Sequence, residues 1–167
     1  LYSTTPTTEP DWEKAVEASM QTFKDQPWFA DTAQAFADES KAKTQADFDA
    51  LVVRLWPIYF ADWTGHRSEY TPLVAQLKLP SDGYRRRPEG KNARFDVRRK
   101  LGMLRAMPAV IVPGDRDFSC GPTVSNWISK EISGSKLIVI ERAGHFAHVE
   151  QPGAFDDAVE QFAKLLR

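Results

Sequence analysis

The sequence has little of the residues and patterns that mark several large classes of protein. Its 167 residues include a single cysteine, Cys120, which excludes an intrachain disulfide and a metal site built from several cysteines. No apolar run approaches the roughly 20 residues that a membrane-spanning helix needs. The first residues, LYSTTPTTEPDW, also lack the basic and then apolar pattern of a secretory signal. We therefore expect a cytoplasmic protein with no membrane partner.

An excess of charge of either sign is also missing. The chain has 22 basic and 23 acidic residues, a balance that gives no field to attract nucleic acid or an anionic membrane. Residues 1–50 hold ten acidic and four basic residues, whereas residues 84–100 hold eight basic and two acidic ones. No aromatic or glycine pattern of a nucleic-acid-binding module accompanies these basic residues. We interpret both regions as solvated surface and expect a small-molecule or short-peptide substrate.

Residues 1–80 have helical patterns and no convincing strand pattern. A first helix is expected from about residue 10 to residue 25. Thr8 and Asp11 have the spacing of a capping box, and Pro10 falls in the first turn, where proline is tolerated.

A second helix is expected behind Thr44 and Asp47, which repeat the capping-box spacing. Pro57 should end or bend it, and a shorter helix is expected at about 68–78. The apolar residues of the second helix recur at steps of three and four, which places them on one helical face: Phe48, Leu51, Val52, Leu55, Trp56, Tyr59 and Phe60.

The composition changes after residue 80. The segment 81–100 is rich in basic residues, proline and glycine and has little apolar periodicity, so we predict a basic linker. From residue 101 onward the pattern is that of an α/β protein. PAVIVPG and KLIVIE are β-branched apolar runs typical of buried strands, with a helix predicted between them over 122–132. Parallel pairing with a right-handed crossover follows from this order.

The last helix is expected to begin near Pro152 and to pack on the sheet. Its apolar residues have the spacing of one helical face: Phe155, Ala158, Val159, Phe162, Leu165 and Leu166. Two parallel strands cannot cover both faces of their own sheet. The chain is therefore expected to form part of a larger fold.

A loop with chemically active side chains follows each predicted strand. GDRDFSCGP, residues 114–122, carries Asp115 and Asp117, and AGHFAH, residues 143–148, carries His145. Open α/β sheets place their ligand chemistry at the carboxyl ends of strands. A carboxylate on one loop and an imidazole on the next suit the acid and base of a Ser-His-Asp relay.

These two loops resemble those of α/β-hydrolases, and in particular of the proline iminopeptidase-like branch. Members of that branch commonly show the patterns G-x-x-D-x-x-x-x-P and G-H-x-x-x-x-E-x-P. The matching residues in this sequence are Gly114, Asp117 and Pro122 in the first pattern, and Gly144, His145, Glu150 and Pro152 in the second. The resemblance covers residues 95–167, under half of the chain, but two separate loops agree in order and in strand context.

The resemblance implies a division of the chain into domains, roles for two site residues and a class of reaction. Residues 1–80 would be the helical cap, residues 81–100 a linker back to the core, and residues 101–167 the C-terminal part of an α/β-hydrolase core. His145 would be the general base and Asp117 the acid that orients it, in a serine hydrolase that forms an acyl-enzyme. A proline iminopeptidase-like peptidase is the first candidate. An ester, lactone or epoxide hydrolase of the same fold is the second.

The serine elbow of this family, G-x-S-x-G, does not occur in the sequence. The nearest pattern, SGSKL at 133–137, lacks the second glycine and precedes a strand instead of following one. We therefore expect the nucleophile to lie upstream of Leu1, on an N-terminal hydrolase portion that would be cleaved, omitted or a separate chain. The alternative is a non-catalytic remnant or interaction module that keeps the loops as scaffold.

Several alternatives concern single residues. Asp115 rivals Asp117 as the acid, and Arg116 between them could pair with either. His145 could instead be a structural loop residue, and Cys120 is interpreted as a packing thiol because it shares the acid's loop. Glu150 is expected to cap or anchor the final helix. No cofactor or metal is expected, because three scattered histidines do not make a zinc site. The acid-rich cap offers partners for a cationic amine, among them Glu13, Glu17, Asp38 and Glu39.

Overall fold

A computed structural model of the chain describes residues 1–77, 79–80 and 94–166. Most of the predicted linker, residues 81–93, lies outside the described residues. The helices of the described part are α1 (Pro10–Gln21), α2 (Phe29–Asp38), α3 (Gln45–Leu55), α4 (Trp63–Val74), α5 (Arg98–Leu101), α6 (Pro122–Glu131), α7 (Ala147–Glu150) and α8 (Pro152–Leu165). The strands are β1 (Val110–Ile111) and β2 (Lys136–Leu137), and short 3₁₀ turns occur at Glu39–Lys41, Trp56–Tyr59 and Gly102–Leu104. Among the described helices, none has the length and apolar content needed to cross a bilayer.

Helix α3 begins at the capping box that the sequence predicts. The hydroxyl of Thr44 accepts a hydrogen bond from the N–H of Asp47 at 3.1 Å, and the Asp47 carboxylate accepts the N–H of Thr44 at 2.9 Å. Two of the free N–H groups at the start of the helix are thereby satisfied. Pro57 ends the helix as predicted, because the chain tightens to a 3₁₀ turn at Trp56–Tyr59 and becomes extended at Phe60.

The predicted capping box of α1 does not form. Helix α1 begins at Pro10 as predicted, but Thr8 and Asp11 bind a segment that is distant in sequence. The Thr8 hydroxyl accepts the N–H of Phe95 at 3.0 Å, and the Asp11 carboxylate is bound by the guanidinium of Arg98. Tertiary partners thus compete successfully for both side chains.

Helix α4 begins five residues before the predicted start at 68. Asp62 caps it, since its carboxylate accepts the N–H of Gly65 at 2.8 Å. The helix is kinked at His66, where the backbone leaves the helical region. The apolar pattern is weak across this kink, and the prediction therefore missed the first turn.

Strands β1 and β2 pair in parallel, as predicted, with Val110 opposite Lys136 and Ile111 opposite Leu137. The pairing continues as a bridge between Gly114 and Ile140. Successive side chains of a strand point to opposite faces. Val110 and Val112 accordingly pack with Ala158 of α8, while Ile111 packs with Ile128 and Ile132 of α6. The two helices therefore lie on opposite faces of the sheet.

The N-terminal residues extend this sheet, although no strand was predicted before residue 80. Tyr2 forms a parallel bridge with Val112 on the side of β1 away from β2. The amino group of Leu1 donates to the Val110 carbonyl at 2.7 Å, and the N–H of Val112 donates to the Leu1 carbonyl at 2.8 Å. A segment of three residues is too short to show the alternation by which strands are recognised.

Helix α8 packs on the sheet through only part of its predicted apolar face. Phe155 and Ala158 contact the β1 side of the core. The remaining four residues of the face, Val159, Phe162, Leu165 and Leu166, are exposed. The predicted packing of this helix on the sheet is therefore confirmed, but among the described residues the sheet is only three short segments wide and leaves the rest of the apolar face uncovered.

Substituting Thr44 by alanine should lower the free energy of unfolding by about 1 kcal/mol, because the first turn of α3 loses its side-chain cap. Urea denaturation followed by far-UV circular dichroism measures this change. Thr71→Ala is the matched control, since the Thr71 hydroxyl donates to the carbonyl of Arg67 inside α4 and satisfies no helix end. Equal losses in the two variants would contradict the capping role of Thr44.

Candidate active site

The acid loop after β1 and the histidine loop after β2 meet through their backbones. The N–H groups of Asp115 and Arg116 donate to the carbonyls of Ile140 and Ala143, each at 2.9 Å. A Cβ atom on Gly114 would lie 2.2 Å from the Ala143 carbonyl oxygen, closer than real atoms approach. Glycine at 114 is therefore what allows the two loops to lie side by side.

The structure brings His145 and Asp117 together. Nδ1 of His145 lies 2.9 Å from Oδ2 of Asp117, within hydrogen-bond distance. Asp117 is almost completely buried, with 2% of its surface exposed, whereas the His145 side chain retains 24%. A carboxylate accepts at Nδ1 only if that nitrogen carries the proton, which leaves Nε2 as the basic nitrogen. Among the described residues, no hydroxyl is hydrogen-bonded to Nε2.

The second oxygen of Asp117 is held by its own loop. Oδ1 accepts the N–H groups of Ser119 and Cys120, each at 3.0 Å. Burial is the largest single influence on this carboxyl and opposes its ionisation. The bonds from His145, Cys120 and Ser119 together outweigh burial and hold the pKa of Asp117 below its ordinary value of 3.8. Asp117 is therefore an anion that is fixed at both oxygens.

Asp115, the alternative acid, does not bind His145, and Arg116 lies against an aromatic ring. The carboxylate of Asp115 accepts the N–H of Ala143 at 3.1 Å and so ties the acid loop to the histidine loop. The Arg116 guanidinium lies 5.2 Å from the centre of the Phe23 ring, in a cation–π arrangement. Of the two acidic residues, it is Asp117 that contacts His145.

Cys120 is buried beside the pair and is a poor nucleophile. Burial, and secondly the negative charge of Asp117, raise the pKa of its thiol to about 12. Its N–H binds Asp117, so its backbone contributes more to the site than its sulfur does. A group with this pKa remains a neutral thiol at physiological pH.

Both backbone polar groups of His145 are bound by residues distant in sequence. Its N–H donates to the carbonyl of Tyr59 at 2.7 Å. Its carbonyl accepts the hydroxyls of Tyr2 at 2.7 Å and Ser3 at 3.0 Å. The Tyr59 ring also packs edge-on against the imidazole, with centroids 5.4 Å apart. Sequence analysis missed these three residues, because a backbone carbonyl or a lone hydroxyl has no recognisable spacing relative to the loop it binds.

Glu150 does not anchor the final helix, contrary to the prediction. Its Oε1 accepts the N–H of Ala61 at 2.7 Å, and its Oε2 accepts the N–H of Gly144 at 2.6 Å. Burial raises the pKa of Glu150 above its ordinary value, against the opposing effect of these backbone donors. The carboxylate turns inward because two unpaired amides there offer stronger partners than the partial charge of a helix end.

Among the described residues, Asp117, Cys120 and His145 form a group whose potential metal-ligand atoms all lie within 4.8 Å of one another. A metal ion at this position would replace the proton between His145 and Asp117 and would require the thiolate of a group whose pKa is about 12. We interpret the group as an acid–base pair with an adjacent thiol. The other two histidines lie elsewhere: His66 is 3.5 Å from Glu69, and His148 is 3.0 Å from the hydroxyl of Tyr2.

Two of the acidic residues suggested for binding a cationic amine are already paired. Glu13 binds the guanidinium of Arg94 at 3.1 Å, and Asp38 lies 2.7 Å from the ammonium of Lys41. Their carboxylates would have to exchange these partners for a ligand's amine. Neither therefore stands out as a substrate-binding residue.

Solved structures of other proteins share the fold of this chain. No family model matches the chain. Among solved structures, an α/β hydrolase from a Medee basin deep-sea metagenome library has a TM-score of 0.57 at 14% identity, over 98% of this chain and 54% of that one. An α/β fold family hydrolase from Bacillus anthracis has a TM-score of 0.54 at 23% identity, over 78% of this chain and 46% of that one. The chain has the α/β-hydrolase fold, as the sequence predicts. Helices α1 to α4, here called the helical segment, precede β1 and β2 of a small parallel sheet.

Within this class, the resemblance to proline iminopeptidases is also confirmed. The proline iminopeptidase of Mycobacterium smegmatis has a TM-score of 0.58 at 19% identity, over 90% of this chain and 51% of that one. In sequence, the proline iminopeptidase PfmaB of Pestalotiopsis fici is 39% identical over 61 residues, which are 36% of this chain and 21% of that protein. The chain thus spans about half the length of these solved structures and matches about a fifth of the curated relative.

Replacing Asp117 by asparagine should flatten the loss of stability in acid. A carboxyl whose folded-state pKa is lowered stabilises the fold above its ordinary pKa of 3.8, and this stabilisation is lost as the pH falls through the lower, folded value. The wild-type free energy of unfolding should therefore fall more steeply below about pH 4 than that of Asp117→Asn. Urea titrations between pH 6 and pH 3 give both curves, and parallel curves would rule Asp117 out as the responsible group.

The thiol of Cys120 should react very slowly with Ellman's reagent in the folded protein. With a pKa of about 12, roughly one thiol in ten thousand is ionised at pH 8, and the sulfur is buried as well. We expect the reaction at pH 8 to be at least about 100-fold slower than in the same protein unfolded in urea. Similar rates in the two states would show that the thiol is neither shielded nor raised in pKa.

Proposed function

We propose that this protein supplies the histidine and the acid of a serine hydrolase, with His145 as general base and Asp117 as its orienting carboxylate. The observation that carries the proposal is the 2.9 Å contact between His145 Nδ1 and the buried, ionised Asp117. The α/β-hydrolase fold supports it, because in that fold such a pair follows successive strands of the sheet.

The proposed chemistry uses both ring nitrogens of His145, Nδ1 toward Asp117 and Nε2 toward the serine. Nε2 takes the proton of a serine hydroxyl as its oxygen attacks an acyl carbon, and Asp117 stabilises the imidazolium that forms. The histidine then returns the proton to the leaving group. Water, activated by the same nitrogen, releases the acyl group from the serine. Asp117 remains ionised throughout, which its bonds from Ser119 and Cys120 favour.

The serine in this proposal comes from a further portion of hydrolase core, in the same polypeptide or in a separate one. Two features support such a portion. Parallel sheets are normally covered on both faces, yet Val159, Phe162, Leu165 and Leu166 of α8 are exposed. Among the described residues, the edge segment 1–3 pairs with β1 on one side, and no strand pairs with its other side. Additional strands at that edge would extend the sheet beneath the uncovered face of α8.

The substrate class we propose is a peptide with an N-terminal proline, on the strength of the similarity to proline iminopeptidase over 61 residues. Hydrolysis of a proline anilide, compared with a p-nitrophenyl ester, tests this against the other hydrolases of the fold. Turnover of the ester alone would favour an esterase or lactonase. All of these measurements are made on the complete hydrolase, and absence of hydrolysis together with absence of fluorophosphonate labelling in it would favour a non-catalytic role.

His145→Ala should lower kcat/KM of the complete hydrolase at least about a thousandfold, and Asp117→Asn nearly as much, because the amide favours the wrong imidazole tautomer. Asp115→Asn is the matched control, since its remaining carbonyl oxygen can still accept the N–H of Ala143. A larger loss in Asp115→Asn than in Asp117→Asn would reverse the assignment of the acid. Fluorophosphonate labelling of a serine within these 167 residues would show that the nucleophile is misplaced.

A further inference from the structure

The position of the His145 ring depends on how its loop sits against the helical segment. The N–H of His145 is bound by the carbonyl of Tyr59, which ends the 3₁₀ turn behind α3. Its ring bears edge-on against the ring of the same tyrosine. The acid loop is tied to the histidine loop at Ile140 and Ala143. A shift of Gly144 and His145 relative to residues 59–61 would therefore move the imidazole relative to Asp117.

Glu150 is the side chain that binds both sides of this junction. One carboxylate oxygen accepts the N–H of Ala61 from the helical segment, and the other accepts the N–H of Gly144 from the histidine loop. Both distances, 2.7 and 2.6 Å, are those of short, charge-assisted hydrogen bonds. The carboxylate thus spans the two segments at a point one residue from His145.

The two backbones lie too close at this point for a side chain to fit between them. A Cβ atom on Gly144 would lie 2.4 Å from the carbonyl oxygen of Tyr59 and 2.9 Å from the nitrogen of Ala61. Because glycine leaves no side chain between them, the backbones can hydrogen-bond across the junction, beside the packing of Phe146 on Tyr59 and Phe60. The hydrogen bonds at the junction are the one from His145 to Tyr59 and the two made by Glu150.

We propose that Glu150 is a positioning residue for the proposed catalytic pair. By binding the N–H groups of Ala61 and Gly144 at once, it holds His145 in the position from which Nδ1 reaches the carboxylate of Asp117. The proposal rests on the proposed function, which it deepens. A carboxylate suits the task because it has two oxygens that only accept, while both partners only donate. Glutamine has one accepting oxygen, and its amino group would face an N–H group and leave it unpaired.

Two variants test the proposal from different directions. Glu150→Gln keeps the length of the side chain and removes one acceptor, whereas Glu150→Asp keeps both acceptors and shortens the reach by one methylene. Glu160→Gln is the matched control, because Glu160 lies exposed on α8, 3.9 Å from Lys164. Urea denaturation verifies that each variant is folded before the other measurements are compared.

The first readout is the His145 ring itself and needs no turnover. In nitrogen-15 NMR spectra of the protein, we expect the Nδ1 proton resonance of His145 to shift upfield or exchange away in both Glu150 variants. The amides of Ala61 and Gly144 should exchange with solvent at least about tenfold faster. The control should match the wild type in both respects. An unchanged His145 resonance together with faster amide exchange would overturn the proposal, since Glu150 would then stabilise the junction without positioning the ring.

The second readout is the split between kcat and KM in the complete hydrolase. A misplaced base lowers the rate of the chemical step, and an error near 1 Å can cost about a hundredfold. We expect kcat to fall by about 10- to 100-fold with KM within about twofold of wild type. Changes confined to KM would overturn the positioning role. If the wild-type hydrolase were inactive on every acyl substrate, the proposed function would fail, while the NMR comparison would still decide what Glu150 does to His145.

Discussion

The close approach of two loop backbones is the constraint on which the site depends. Parallel pairing of β1 and β2 delivers the acid loop and the histidine loop to the same edge of the sheet. Gly114 then allows the loops to touch, because any larger residue would strike the carbonyl of Ala143. The carboxylate of Asp117 can reach the imidazole of His145 only because this contact is made. Strand register, a glycine without a side chain and the buried carboxylate of Asp117 together determine where His145 meets its partner.

The histidine loop must also be held in place, and the groups that hold it include some from outside the sheet. The helical segment contributes the Tyr59 carbonyl and the Ala61 amide, both backbone groups, to the histidine loop. The α/β part of the chain supplies Glu150, which joins them. The helical segment thus contributes backbone groups directly to the histidine loop. It provides part of the frame that holds the proposed base, and changes in its packing would reach His145 through three hydrogen bonds.

The sequence predicted those features that depend on local pattern. The capping box at Thr44, the break at Pro57 and the two strands as elements were predictable because each is determined by residues within a few positions of one another. The parallel pairing followed from the order strand, helix, strand. The acid and histidine loops were recognisable for the same reason. Features that depend on distant partners were missed: Thr8 binds Phe95 instead of capping α1, and Glu150 turns toward two amides instead of a helix end. Backbone carbonyls and amides, such as those of Tyr59 and Ala61, leave no trace in side-chain spacing.

The anchoring of His145 at both its N–H and its carbonyl has a consequence for the order in which the protein assembles. Its partners are Tyr2 and Ser3 on one side and Tyr59 on the other, so none of these backbone bonds can form until chain segments separated by more than eighty positions have met. Contacts of such long range are made late in folding, because the entropy of loop closure has to be overcome first. The placement of His145 thus requires that residues 1–3, the helical segment and the sheet are docked together, and partly folded molecules would carry the same side chains without the contact between His145 and Asp117.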